Sequence, residues 1–192
     1  EKALEGLAGA FSLCIIDEVA HEAFLAIDRM GVNPLTYQVY DGGLVFGSSA
    51  DTINIHTRAK SEISPQSLYN YVYFHMVPGP DTIYQGQKRL LPGEYLFYRK
   101  GHAETRKYWQ MQFLENEKRP FQELKNDFLS VLRSSVRDAV GDHQAGAFLS
   151  GGTDSSTVVG MLSLVTSEPV QAFSIGFEAS GYDEISYARL AA

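Results

Sequence analysis

Apolar residues recur along this chain at two different spacings, and the spacing changes near residue 114. Before that point, short apolar runs sit between turn residues, the pattern of strands. Residues 10–17 and 23–27 predict two buried strands, with a turn between them near Asp17-Glu18. Gly31 to Pro34 makes a further turn, and residues 35–40 predict a third strand with Leu35, Tyr37 and Val39 alternating on one face. Asp41-Gly42-Gly43 is a hairpin signal leading to a fourth strand at Leu44-Val45-Phe46. These four strands predict an antiparallel meander with nearly no helix. Ser64-Pro65 then opens a short helix with Leu68, Tyr69, Val72 and Tyr73 at helical spacing, broken by Pro78-Gly79-Pro80. Residues 94–99 predict a strand between the turns Leu91-Pro92-Gly93 and Lys100-Gly101-His102, with 106–109 as its partner.

Residues 114–120 are polar and end in Pro120, which marks a linker. Beyond it the period becomes 3.6: Leu124, Phe128, Val131, Leu132, Val136 and Val140 form one helical stripe, closed by Gly141. A strand at 145–149, a helix to about Val165, a break at Ser167-Glu168-Pro169 and a strand at 170–177 follow. Two apolar strands flanking a helix imply a parallel sheet. The predicted organisation is a mostly β part at 1–113, a linker at 114–120 and an α/β part at 121–192. Two parallel strands alone cannot cover both faces of their sheet, so the second part reads as truncated.

Composition narrows the picture only slightly. The 192 residues are 44% hydrophobic and 20% charged, enough to bury a core. A net charge of −7 argues against a general nucleic-acid or anionic-membrane binder. A lone cysteine, Cys14, fits a reducing cytoplasm, and no run reaches transmembrane length.

The candidate chemistry lies in one loop, Ser150-Gly151-Gly152-Thr153-Asp154-Ser155-Ser156, set between a strand end and a helix start. Two glycines let the backbone turn its N–H groups toward a ligand, and the helix start adds unpaired N–H groups and a positive dipole end. Hydroxyls from Ser150, Thr153, Ser155 and Ser156 complete a cradle of pyrophosphate size. Asp154 would repel phosphate directly; it suits either a Mg²⁺ bridging to phosphate or a helix N-cap. The spacing is neither that of the lysine-containing phosphate loop nor that of the dinucleotide fingerprint. By the switch-point rule, a ligand would sit at the carboxyl ends of the two strands.

Several residues invite a sharper reading than they carry. Cys14 sits mid-strand and predicts a buried structural thiol. His21, His56, His75, His102 and His143 show no ligand spacing. Asp28-Arg29 reads as a salt-bridged strand end, and Asp183-Glu184 as the start of a helix running through Ala188, with a metal or substrate pair as the rival. Tyr69, Tyr71, Tyr73 and Phe74 read as domain-interface packing.

The loop pattern Ser-Gly-Gly-x-Asp-Ser-Ser resembles the pyrophosphate loop of ATP-pyrophosphatase (PP-loop) ligases. With residues 7–13, 26–35, Leu91-Pro92-Gly93-Glu94, Arg106 to Trp109, Phe148 to Ser156, Phe173 to Phe177 and Tyr182-Asp183-Glu184, the whole chain resembles glutamine-dependent asparagine synthetase. That resemblance implies the late part of an antiparallel N-terminal-nucleophile glutaminase domain, then the start of a PP-loop synthetase domain. It implies that glutamine yields ammonia, that Mg·ATP activates the side-chain carboxylate of aspartate as an adenylate, and that ammonia displaces AMP. By position it places pyrophosphate on residues 150–156, Mg²⁺ on Asp154, and adenosine between Leu149 and Ile175, with main-chain contacts from both. The N-terminal cysteine nucleophile of the family has no counterpart here, so no catalytic residue is assigned and the chain is expected to be an internal fragment, poorly stable alone. Ser49 stands where the family usually carries Glu. Small-molecule substrates, a homodimer and a cytoplasmic location are the accompanying expectations. Two rivals are a related amidotransferase acting on another carboxylate and, if 192 residues are the natural whole, a non-catalytic nucleotide-binding module. A GMP or NAD synthetase ranks below both.

Overall fold

The structure is a computed structural model that describes residues 2–59, 62–113, 118–178 and 183–192. Residues 114–117 of the predicted linker and Tyr182 of the quoted motif lie outside the described residues. The chain divides into two compact units, residues 1–113 and 114–192.

The first unit runs α1 (Lys2–Glu5), β1 (Ser12–Asp17), β2 (Glu22–Ile27), β3 (Thr36–Tyr40), β4 (Gly43–Gly47), α2 (Ala50–Asn54), α3 (Pro65–Phe74), β5 (Lys88–Arg89), β6 (Glu94–Arg99) and β7 (His102–Lys107). It is not one meander. Its strands form two antiparallel sheets, ordered β1-β2-β6-β7 and β4-β3-β5. The cause lies in β2, which is apolar on both faces and therefore takes an interior place. Leu25 and Ile27 join Leu35, Leu90 and Leu96 in a core that also collects Tyr37, Leu44 and Phe46 from the second sheet. On the other face, Ala26 joins Tyr95 and Leu4, with Phe24 and Phe11 against them. β2 is thus paired on both edges, and β6 closes onto it from far along the chain, which local turn signals do not show.

Further expectations change, among them the partner of β6, which is His102–Lys107 rather than 106–109. Strand β1 is an edge strand and largely exposed, with Ile15 63% and Ile16 58% accessible. Along β3, Leu35 and Tyr37 reach the core while Val39 is exposed; the opposite face buries Thr36 and Gln38, because α2 and residues 82–87 cover it. Helix α2 was not predicted; Ser49 caps it by accepting a hydrogen bond from the Thr52 N–H at 3.2 Å. In α3, the apolar stripe Leu68, Tyr69, Val72 and Tyr73 faces outward and Ser67 is buried. Ser64 sets that rotation: its N–H donates to the Ile83 carbonyl at 2.9 Å, and its Oγ accepts from the Ser67 N–H at 3.2 Å.

The second unit runs α4 (Phe121–Val140), β8 (Gly146–Phe148), α5 (Thr153–Val165), β9 (Gln171–Phe173) and α6 (Ile185–Ala191). Strands β8 and β9 pair in parallel, Ala147 opposite Ala172. Both are shorter than predicted. Pairing ends where Ser174 turns away and its Oγ donates to the Leu149 carbonyl at 2.6 Å. Of the α4 stripe, Leu124, Leu132, Val136 and Val140 are half-buried, whereas Phe128 and Val131 stay exposed. Arg133 ties α4 to α5 through the Leu164 carbonyl at 3.0 Å. Among the described residues, no helix is long and apolar enough to cross a membrane.

Candidate nucleotide-binding site

The chain leaves β8 through Leu149, whose side chain is 2% exposed and anchors the loop from below. Gly151 has φ +87°, the left-handed region, and any Cβ there would lie 2.4 Å from the Ala188 N and 2.5 Å from the Tyr187 carbonyl carbon. Only glycine lets the loop press this closely on α6. Gly152 is the N-cap of α5, in extended conformation and with no side-chain capping hydrogen bond. The first helical turn, Thr153, Asp154 and Ser155, lies beyond the reach of any intrahelical acceptor. The first i→i+4 bond runs from the Ser156 N–H to the Gly152 carbonyl at 3.1 Å.

Hydroxyls hold the loop open. Ser155 Oγ accepts from the Ser150 N–H at 3.3 Å and donates to the Gly152 carbonyl at 3.2 Å. Ser150 Oγ lies 3.0 Å from Ser155 Oγ and accepts from the Gly152 N–H at 3.4 Å. Ser150 and Ser155 therefore shape the cradle rather than standing free to fill it. Thr153, by contrast, turns its carbonyl to the Thr157 hydroxyl at 2.6 Å, and its own side chain is exposed. Asp154 is exposed in the first turn of α5.

Beside the loop, at the carboxyl ends of β8 and β9, lies a cleft of about 310 Å³. Leu149, Ser150 and Ile175 line it, as do Phe148, Phe173 and Phe177. Ile175 is 70% exposed and offers its side chain to the cleft. Leu149 differs: its N–H donates to the Phe173 carbonyl at 2.8 Å and its carbonyl accepts from Ser174 Oγ, so its main chain is already engaged. An apolar slot next to a polar, N–H-lined cradle is the pairing a nucleotide requires. The wall contributed by α6 through Ile185 and Ala188, and by its N-cap Glu184, was not foreseen in the sequence. The glycine at 151 is compatible with that close approach, but the neighbour itself is identified only by the fold.

The other singled-out residues have different roles. Cys14 is exposed on the edge strand rather than buried in a core. Partial desolvation pushes its thiol up, which keeps it protonated and poorly nucleophilic. Asp28 is not salt-bridged to Arg29. Its carboxylate, 1% exposed, accepts from the N–H groups of Met30 at 3.0 Å, Val32 at 3.1 Å, Asn33 at 3.1 Å and Phe11 at 3.3 Å. Burial alone would raise its pKa, but these backbone donors outweigh it and hold the carboxyl below its ordinary range. Arg29 instead donates to the Glu5 carbonyl at 2.9 Å. Glu184 stands at the N-cap of α6, where the helix was expected to begin, while Asp183 bonds backward as well as forward, accepting from the Phe177 and Ile185 N–H groups.

Sequence comparison agrees in order with this geometry. A family profile described as the glutamine amidotransferase domain matches residues 1–109, and one described as asparagine synthase matches residues 127–192. The glutamine-hydrolysing asparagine synthetase 1 of Bacillus subtilis is 28% identical over 195 residues, 98% of this chain and 30% of that protein. Asparagine synthetase 3 of the same organism is 28% identical over 184 residues, 93% of this chain and 30% of its own length. The amidase chyE of Penicillium rubens is 27% identical over 202 residues, 95% of this chain and 30% of that protein. The chain thus spans under a third of the length of each of these relatives. With both profiles matched in order along one chain, this protein belongs to the glutamine-dependent asparagine synthetase family.

Proposed function

We propose that residues 121–192 begin an ATP-binding synthetase domain and residues 1–113 form part of the glutaminase domain that supplies its ammonia, with 114–120 as linker. The observation that carries this reading is the open start of α5: Gly151 and Gly152 leave first-turn N–H groups facing outward, beside an apolar cleft at the ends of two parallel strands. The cradle at 150–156 would hold the pyrophosphate of ATP, and the cleft between Leu149 and Ile175 its adenosine. Asp154 would carry Mg²⁺. Among the described residues, no cluster of three or more His, Cys, Asp or Glu side chains could chelate an ion by itself. A Mg²⁺ here would take its remaining ligands from phosphate oxygens and water, its usual habit.

In this reading, the whole protein uses Mg·ATP to activate the side-chain carboxylate of aspartate, and ammonia from glutamine displaces AMP. The contribution of this chain is binding and orientation: the helix dipole and N–H groups meet the phosphate charge, and the apolar walls exclude water from the base. The test has two arms. The chain should bind Mg·ATP, and Asp154→Ala should weaken Mg·ATP about tenfold or more while affecting metal-free AMP far less. The complete protein should catalyse ATP–pyrophosphate exchange that depends on aspartate. Exchange with another acid and not with aspartate would favour a related amidotransferase; relatives named as amidases give that second reading its support.

A further inference from the structure

The acidic pair after β9 has a place in the fold that its rival readings, metal ligand or plain helix start, do not describe. Asp183 reaches in two directions with one oxygen. Its Oδ1 accepts from the Phe177 N–H at 3.3 Å, in the segment that follows β9, and from the Ile185 N–H at 3.3 Å, at the start of α6. Gly176 lies beside the same oxygen: a Cβ there would stand at an ordinary contact distance of 3.6 Å from it. The carboxylate therefore joins the segment that follows β9 to the first residue of α6.

What α6 does from that position concerns both halves of the candidate site. Its Ala188 is 3% exposed and lies under Gly151, whose missing Cβ would otherwise strike the Ala188 N at 2.4 Å and Tyr187 at 2.5 Å. The same helix lines the cleft through Ile185 and Ala188. One helix thus backs the anion loop and walls the nucleoside cleft, and it is short: seven residues, Ile185–Ala191. A helix of two turns has little stability of its own and depends on how it is anchored.

We infer that Asp183 is a positioning residue, a latch that seats α6 against Gly151 and so sets the phosphate cradle and the nucleoside cleft together. It acts by accepting two backbone hydrogen bonds, and needs its oxygen rather than its charge. The inference rests on the nucleotide reading only in naming the ligand; the latch itself belongs to the ligand-free fold.

The experiment compares Asp183→Ala and Asp183→Asn with the unaltered 192-residue chain, by amide hydrogen exchange without ligand and by titration with AMP and with pyrophosphate. Asparagine keeps an acceptor oxygen at the same place and removes the charge. Asp183→Ala should speed exchange at residues 185–191 and at 150–152 about tenfold, the scale of one or two ordinary hydrogen bonds, and weaken both ligands about tenfold. Asp183→Asn should keep exchange and affinity within about twofold of the parent. If alanine unfolds the second unit while asparagine does not, the latch also stands. Unchanged exchange in Asp183→Ala overturns it, and so does an asparagine variant as impaired as alanine, since that outcome demands the charge of a metal or substrate ligand. If the parent chain binds neither AMP nor pyrophosphate, the nucleotide reading falls, while the exchange comparison still decides the latch.

Discussion

The two units of this chain solve the problem of burial differently. Of the hydrophobic residues buried among those described, Leu4, Ala23, Leu25, Ala26, Ile27, Leu35, Ile53, Leu90, Tyr95 and Leu96 lie in the first unit, and only Leu149, Leu162 and Ala188 in the second. The first unit covers its central strand β2 on both faces. The second leaves Phe148 79% and Phe173 54% exposed on its two-stranded sheet. Their helix starts differ in the same sense. Helix α3 is closed by the Ser64 side chain, whereas α5 opens on Gly152 with no side-chain cap. The well-packed unit has spent its polar groups on itself, and the sparsely packed one keeps donors facing outward, where a ligand can use them.

The largest effect should therefore come from the first unit's core. Leu25→Ala removes a fully buried side chain where both sheets meet, and should destabilise that unit by about 2–5 kcal/mol. The single tryptophan, Trp109, lies in that unit, so its fluorescence in a urea titration reports the loss. Leu162→Ala should leave the tryptophan transition in place and lower the helical signal of the second unit instead. Coincident shifts of both signals in either variant would break the comparison, because the units would then be unfolding as one.

Next in size is Gly151→Ala. A left-handed alanine costs about 1–3 kcal/mol by itself, before the collision with α6 is counted. Nucleotide binding should be lost with it, and the tryptophan transition of the first unit should not move. Retained AMP affinity in this variant would show that the loop does not need its contact with α6.

These expectations also mark what was legible in the sequence. Strand β6 begins and ends where predicted and helix α5 ends where predicted, because Gly93, Lys100-Gly101 and Ser167-Glu168-Pro169 punctuate them locally; α5 starts inside the predicted loop, at Thr153, with Gly152 rather than Asp154 as its N-cap. The turn into that loop was legible for the same reason: Gly151 states a backbone requirement. Burial was not. The exposure of β1, the outward stripe of α3 and the division into two sheets depend on which distant strand sits beside which, and β6 pairs with β2 across a long stretch of chain. Asp28 was misread because its carboxylate meets backbone N–H groups, which composition cannot show, rather than the adjacent arginine.

Asp28 supplies the third prediction. Its folded pKa is lowered, so its contribution to stability is complete above the unfolded value of about 3.9 and is lost as pH falls through the folded pKa. The first unit should consequently weaken with acid over that interval. Asp28→Asn should cost about 1–2 kcal/mol at neutral pH and flatten this acid limb. The second unit should not follow it. An unchanged acid limb in Asp28→Asn, measured by urea titrations at several pH values, would assign the acid sensitivity to other carboxylates.

The smallest change in stability should reveal the most about the open helix start. Gly152 has φ −70° and ψ 163°, a conformation open to any residue, and a Cβ there would meet Ser150 Oγ at an ordinary 3.5 Å. Gly152→Ser therefore fits without strain and brings a capping hydroxyl to the first-turn N–H groups. Stability of the second unit should rise by a few tenths of a kcal/mol, roughly the difference between a serine and a glycine cap. Pyrophosphate should bind less tightly, since the serine oxygen now occupies donors that the anion would take. Opposite signs for stability and affinity are the expected result, read by urea titration and calorimetry on one variant. A gain in both would mean that the anion binds elsewhere than at the start of α5, and the contrast between a closed helix in one unit and an open one in the other would lose its functional meaning.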